Sequence, residues 1–381
     1  MYSLIEYGNM IADVERFRAY KKAITSVVRP GDAIAEIGCG PGVFALLACQ
    51  AGARRVYAID SEPIVDLARQ LAAANGFSDR IEFIQSDSRK ANLPERVNVI
   101  ISDIRGAVPL FNHAISTIDD ARTRFLAEGG VLIPQRDTLK AAVIEAPSHY
   151  EQITSPWRKA AQGLDLSAPL QLVLNHECYH LYFRSEQLLT EPQSWCVLDY
   201  QRGAAKNGAA ELQFRAARPG TAHGVCVWFE AQLFGSDGYT TGPGTPTSGI
   251  SGQLFLPWPE PIAVVEGQEF DVILHADLVG NDYVWRWEAK IGVGEGITRH
   301  FRQSSLQGAN FAPQTLRRRA ADFVPALSEE GRANRWLLQA MNGKASLEQM
   351  ARAAAQQFPK IFPRWEDALR RAADLAAQFS R

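Results

Sequence analysis

The chain lacks a long apolar run, a cysteine pair at metal-binding spacing and an excess of either charge. No stretch approaches the roughly 18 apolar residues that a membrane-spanning helix needs. No basic-then-apolar segment opens the sequence, which speaks against export. Its five cysteines, Cys39, Cys49, Cys178, Cys196 and Cys226, are odd in number and never spaced C-x-x-C. That excludes a disulfide framework and a structural zinc site. With 40 Lys and Arg against 42 Asp and Glu, the net charge is -2. No single-sign field results, so nucleic acid is not favoured as a partner. No repeat of about 20–50 residues and no long low-complexity tract is present. A cytoplasmic enzyme without metal, nucleic-acid or membrane partners fits these absences. At 381 residues, two or three domains are expected.

What the chain does have is Ile34–Asp60, reading IAEIGCGPGVFALLACQAGARRVYAID. A short apolar run breaks into glycines, then helical spacing follows, then a second apolar run ends in an acid. This predicts strand, glycine turn, helix, strand. Gly38, Gly40 and Gly42 let backbone approach a ligand closely. Asp60, followed by Ser61, is placed to accept hydrogen bonds from ribose hydroxyls. Two cofactors compete for such a unit. A dinucleotide uses G-x-G-x-x-G and sets its pyrophosphate on the helix N-terminus. Here the third glycine comes one position early, and Glu36 precedes the turn. An acid repels a phosphate and favours an ammonium. The pattern E-x-G-x-G-x-G resembles motif I of class I S-adenosylmethionine (SAM) methyltransferases, which implies SAM as the cofactor.

Upstream, Met10, Val14, Phe17 and Tyr20 fall on one helical stripe, and Asp13 lies three residues before Arg16. Alone, that pair reads as a surface ion pair of small value. Yet M-x-x-D-x-x-R-x-x-x-Y-x-x-A-I is similar to the helix that protein arginine methyltransferases fold over SAM. The resemblance implies that Arg16 holds the SAM carboxylate, Asp13 orients Arg16 and Met10 lies near the methyl group.

After Asp60, strands are expected at Ile81–Ile84 and Val97–Ile101. Polar residues at strand ends open into the ligand crevice of an α/β sheet. Asp87 or Ser88 is the natural partner of the adenine amino group, and Ser102 and Asp103 end the second strand. The segments AGARRVYAID, LPERVNVIISD and GGVLIPQ all resemble the arginine methyltransferases. In that family two glutamates on one loop clamp the acceptor guanidinium, since paired carboxylates supply charge and planar geometry. Counting from Ser102 without gaps, the two positions here are Asp103 and Asn112, with Arg105 between them. One acid is shortened and the other is neutral. The loop offers one carboxylate, Asp103, and one imidazole, His113, which can accept a proton near neutral pH. A lone loop histidine is also commonly a solvated residue.

From Thr138 the pattern becomes short strand-like segments separated by turns: 139–144, 196–200, 211–214, 224–234, 253–256, 262–265, 270–276 and 285–291. This predicts an antiparallel barrel or sandwich. Trp285 and Trp287 share one strand face, which suits core packing. His176 and His180 are four apart and can share a helix face, but a metal site needs a third ligand. The loop Ser236–Gly252 carries five glycines and two prolines. By the resemblance it aligns with a loop lining the arginine pocket, where Ser248-Gly249-Ile250 replace a Thr-His-Trp. The resemblance also implies that an insert at Tyr150–Leu166 begins a dimerisation arm. In the tail, 332–341, 347–357 and 365–379 read as helices, with Ser346 as an N-cap. The segment from Pro325 to Arg352 resembles PqqD-like domains, winged-helix modules that bind leader peptides by strand addition.

The expectation is therefore an α/β Rossmann-like SAM domain (1–134), an antiparallel β-barrel domain (135–312) and a small helical, winged-helix-like tail (318–381). The expected activity is SAM-dependent methyl transfer to a nitrogen or oxygen of a peptide or specialised metabolite, by a homodimer. Asp103, with His113 and Asn112, faces the acceptor. Ordinary protein arginine methylation and a non-catalytic SAM- or peptide-binding module are the alternatives.

Overall fold

Five consecutive buried residues, Ala33–Ile37, form β1, the centre of a five-stranded sheet. The sheet is completed by β2 (Arg55–Asp60), β3 (Ile81–Gln85), β4 (Val97–Ser102) and β5 (Leu126–Ile133), in the order β3-β2-β1-β4-β5. Every pairing is parallel. Continuous apolar runs are what strands covered on both faces require. The strand order reverses direction at β1, between β2 and β4. Ligands of open α/β sheets bind there, beyond the carboxyl ends of the strands. The computed structural model describes residues 2–380 except 159–162, 246–251, 293–297, 310–313, 315–316 and 319.

Two helices precede the sheet, α1 (Leu4–Ala12) and α2 (Val14–Val27). Ser3 and Glu6 close a capping box on α1. Asp13 sits between the helices and caps α2, accepting from the Arg16 backbone N–H at 3.1 Å. Between the strands lie α3 (Val43–Gln50), α4 (Val65–Ala74) and α5 (Ala114–Phe125).

The chain then builds two antiparallel sheets. One has the order β7-β12-β10-β6-β8, with β11 attached to β10. These strands are β6 (Arg136–Ile144), β7 (Cys178–Leu181), β8 (Gln193–Asp199), β10 (Gly220–Phe234), β11 (Asp237–Thr240) and β12 (Gln253–Val264). The other runs β15-β14-β13-β9, from β9 (Gly208–Arg215), β13 (Glu269–Val279), β14 (Asp282–Gly292) and β15 (Thr298–Ser304). Trp258, Trp285 and Trp287 are buried in their core. This core is continuous with that of the parallel sheet, from Ala19 to Phe301. The chain divides into two compact units, Met1–Ala309 and Asn310–Arg381. The boundary expected near residue 134 therefore falls inside one unit. The cause is short linkage: Gln135 already donates to the Gln232 carbonyl of β10.

Some sequence expectations change. The segments 253–256 and 262–265 are one strand, β12, although Pro257, Pro259 and Pro261 read as breaks. Its partner β10 shifts register between Ala222 and Gly224, which accommodates the prolines. His176 and His180 share no helix, because Cys178–Leu181 is a strand, and no metal-ligand cluster occurs among the described residues. Ser248, Gly249 and Ile250 lie outside the described residues. No described helix is long and apolar enough to cross a membrane.

In the second unit, helices Glu329–Ala340, Leu347–Gln357 and Trp365–Phe379 enclose Leu337, Met350, Ala354 and Phe362. Ser346 accepts from the Gln349 N–H while Gln349 returns the bond, a complete capping box. Among the described residues this unit contains no strand. The described residues of this unit are thus helical, and they offer no sheet edge of the kind that strand addition in a winged-helix module uses.

Candidate active site

The carboxyl ends of β1, β2 and β4 open into a cavity of about 550 Å³, within the range of small-molecule sites. Its floor is the glycine turn. Gly38, Gly40 and Gly42 all have positive φ, which an L side chain adopts only with strain. At Gly40 a Cβ would also approach the Tyr7 ring to 2.8 Å, so the turn and α1 are packed backbone to side chain. Asp60 closes the turn by accepting from the Gly40 N–H at 2.8 Å and the Glu62 N–H at 2.9 Å. A carboxylate offers about four lone-pair sites, so two remain for a ribose diol. Ser61 lines the same wall. Glu36, at the end of β1, is buried and accepts from the Ala45 N–H at 2.8 Å. Burial pushes its carboxyl up to about 8, with the Asp60 charge adding to the rise against the pull of that N–H.

The roof is α1 and the start of α2, through Tyr2, Tyr7, Met10, Ile11 and Arg16. Barrel strand β11 reaches the cavity through Tyr239 and is tied to α2 by Lys22, whose Nζ lies 2.6 Å from Asp237 Oδ1. Beyond β3 the cavity is bounded by Asp87 and Ser88. Asp87 is already paired with Arg89 at 2.8 Å, which holds its carboxyl below the usual range. Ser88 is buried, and its carbonyl accepts from Arg124 at 2.6 Å.

From the end of β4 a chain of alternating charges runs inward. Arg16 binds Asp103 through Nε and Nη2, and its Nη1 donates to the Met10 carbonyl at 2.9 Å. Two of its five N–H groups remain available to a ligand carboxylate. The other Asp103 oxygen accepts from Arg105 Nη2 at 2.9 Å, and Arg105 Nη1 pairs with Asp137 Oδ1 at 2.6 Å. Burial pushes the Asp103 carboxyl up, but Arg16 and Arg105 pull it further down, so it stays below the ordinary range. A carboxylate held by two guanidiniums is a weak base and a good hydrogen-bond acceptor.

Most of the expected site residues converge on this cavity. Met10, Arg16, Glu36, Gly38, Gly40, Asp60, Ser61, Asp87, Ser88, Asp103 and Asn112 line it. Four do not. Gly42 sits behind the turn as the α3 N-cap. Ser102 is buried, with its carbonyl accepting from the Tyr20 hydroxyl at 3.0 Å. Asp13 holds the Arg16 backbone and not its guanidinium; Asp103 does the latter. His113 occupies the α5 N-cap position without lining the cavity, so its proposed share in proton removal lacks geometric support. Sequence reasoning missed Tyr7, Tyr239 and Asp137, and the coupling of Arg105 to the last two. Only Arg105 gave a signal, as a cation inside the acceptor loop.

Comparison with known proteins agrees with this geometry. A family model described as ribosomal protein L11 methyltransferase (PrmA) matches residues 21–151. The chain is 30% identical over 238 residues to a probable protein arginine N-methyltransferase 6 of Arabidopsis thaliana, covering 60% of this chain and 54% of that protein. It is 28% identical over 310 residues to protein arginine N-methyltransferase 2 of Homo sapiens, covering 76% and 69%. It thus spans about half the length of the first relative. Among solved structures it is similar to the Trypanosoma brucei PRMT1 enzyme-prozyme heterotetrameric complex with AdoHcy, with TM-score 0.71, 20% identity, and 78% and 97% of the two chains covered. In sequence the chain is similar to protein arginine N-methyltransferases and in fold to their solved structures, and SAM is the cofactor that fits its crevice.

Proposed function

We propose that this chain transfers a methyl group from SAM to a nitrogen or oxygen nucleophile of a peptide or specialised metabolite. The observation that carries the reading is the state of the acceptor loop. Its one lining carboxylate, Asp103, is already bound by Arg16 and Arg105, and its second polar lining residue, Asn112, is neutral and exposed. When bound, SAM supplies a methyl carbon made electrophilic by its sulfonium. Asp60 takes the ribose hydroxyls, and Arg16 offers two N–H groups to the carboxylate. Glu36 faces the charge of the ammonium. Asp103 accepts a hydrogen bond from the nucleophile and orients it for in-line attack. Tyr2, Tyr7 and Met10 line the roof of the crevice, over the place the sulfonium would take.

The test uses labelled SAM against matched panels of peptides and small metabolites, with SAM affinity measured by calorimetry on the same preparation. Transfer to a panel member without arginine supports the reading. SAM binding with transfer only to arginine peptides replaces it with the second reading, protein arginine methylation, which the names of the relatives favour. Any transfer removes the non-catalytic alternative. A homodimer accompanies the proposal, because α6 (Pro147–Arg158) starts the insert where an arm is expected; light scattering decides it.

A further inference from the structure

Behind the crevice lies a sealed compartment filled by a single side chain, Arg105, which is 1% exposed. Its Nη1 donates to Asp137 Oδ1 at 2.6 Å. Its Nη2, with two N–H groups, lies 2.8 Å from the Tyr20 hydroxyl, 2.7 Å from the Tyr239 hydroxyl and 2.9 Å from Asp103 Oδ1, so one hydrogen is shared between two acceptors. The rings of Phe229 and Tyr239 stand 5.1 and 5.6 Å from its guanidinium carbon. The second Asp137 oxygen accepts from the Tyr200 hydroxyl at 2.7 Å. Two carboxylates, phenol hydroxyls and ring faces are the groups that recognise a guanidinium. Asp103 and Tyr239 also line the crevice, so the two spaces share a wall. The Arg105 Nε finds no partner, although it is buried. The compartment thus satisfies one end of the guanidinium and leaves the other unsatisfied.

We propose that Arg105 determines acceptor specificity: it is a built-in guanidinium that occupies the carboxylate–tyrosine cage and restricts the acceptor to a nucleophile without positive charge. The inference rests on reading the crevice as the SAM and acceptor site. Arg16 and Arg105 already balance Asp103 and Asp137, two cations against two anions. A cationic acceptor entering beside Asp103 meets two like charges and no free carboxylate. An uncharged amide, hydroxyl or phenol meets no such repulsion and keeps Asp103 as its hydrogen-bond partner.

The experiment measures binding of N-acetyl-arginine methylamide, and of SAM, to the full chain by calorimetry. The variants are Arg105→Ala and the charge-balanced pair Arg105→Met with Asp137→Asn, the second guarding against unfolding from an unpaired Asp137. We expect wild type to bind the arginine amide weakly. At least one folded variant should bind it more than about tenfold tighter, a difference of about 1.4 kcal/mol. Adding Asp103→Asn should remove the gain. SAM affinity should stay within about threefold of wild type, under half of that tenfold unit of free energy. A folded variant that keeps SAM affinity and gains no affinity for the arginine amide overturns the proposal. So does wild type that binds the amide as tightly as the variants. Loss of SAM binding by wild type itself would instead sink the functional reading beneath it.

Discussion

Arg105 Nη1 and Asp137 Oδ1 meet at 2.6 Å across the junction of the parallel sheet and the barrel, and both side chains are sealed from water, 1% and 0% exposed. Burial pushes the Asp137 carboxyl up against the pull of Arg105, so the charged pair is held at a desolvation penalty. Breaking such a pair from one side leaves a buried charge with no counter-ion. Asp137→Ala should therefore lower unfolding free energy by about 3–5 kcal/mol. The double change Asp137→Asn with Arg105→Met, which removes both charges, should recover most of it. Urea unfolding of the two variants checks this; equal losses in both would mean that the pair does not act as a unit.

Gly40 is the tightest point of the cofactor floor. Its φ is +51°, and a Cβ would meet Tyr7 at 2.8 Å. A β-branched residue there adds backbone strain of about 1–3 kcal/mol and pushes α1 off the crevice. Gly40→Val should abolish measurable SAM binding while the fold persists. Unchanged affinity in calorimetry, with a native circular dichroism spectrum, would refute the site assignment.

Glu36 gives the crevice a pH signature. Its folded carboxyl is raised to about 8 from an ordinary value near 4.5. A group raised on folding contributes stability that is fully present below its unfolded value and is lost as pH rises through the folded value. The Tm of the ligand-free protein should thus fall from about pH 5 to about pH 8 and level off above it, and Glu36→Gln should flatten that slope. A bound ammonium favours the carboxylate, so SAM binding near pH 7 should release protons. Calorimetry in two buffers of different ionisation enthalpy measures this, and an identical heat in both would count against a cation beside Glu36.

The fold was legible where local rules agree. The apolar runs of β1 and β2, the glycines between them and Asp60 form one unit whose pieces lie within 27 residues. Ser346 with Gln349, and the apolar spacing of the tail helices, were readable for the same reason. The centre of the acceptor side was not, because its contacts are distant. Arg105 reaches Asp137 across 32 residues and Tyr239 across 134. Tyr239 sits on β11, a four-residue strand inside a polar glycine-rich loop. Nothing in its neighbours marks it as facing a cavity. The histidine pair failed for the converse reason: a spacing of four has meaning only on a helix, and His180 instead holds φ +59° in a strand.

Asp103 joins the two halves of the site, and the separation of its roles can be measured. One oxygen holds Arg16 against the roof and the other holds Arg105 in the wall. Its carboxyl lies below the ordinary range, so it remains ionised throughout the neutral region and is a poor acceptor of a full proton. If it orients the nucleophile, Asp103→Asn keeps the shape and loses the charge-assisted bond. Turnover on a working acceptor should then fall about a hundredfold, the scale on which misplacing reacting groups acts. SAM affinity should change less, since Asp60, Glu36 and the glycine turn are untouched and Arg16 keeps its bond to the Met10 carbonyl and an amide oxygen to donate to. The pH–rate profile distinguishes orientation from proton removal: the variant should keep the wild-type shape at a lower plateau. An acid limb that disappears with the carboxylate would show that Asp103 is the base after all.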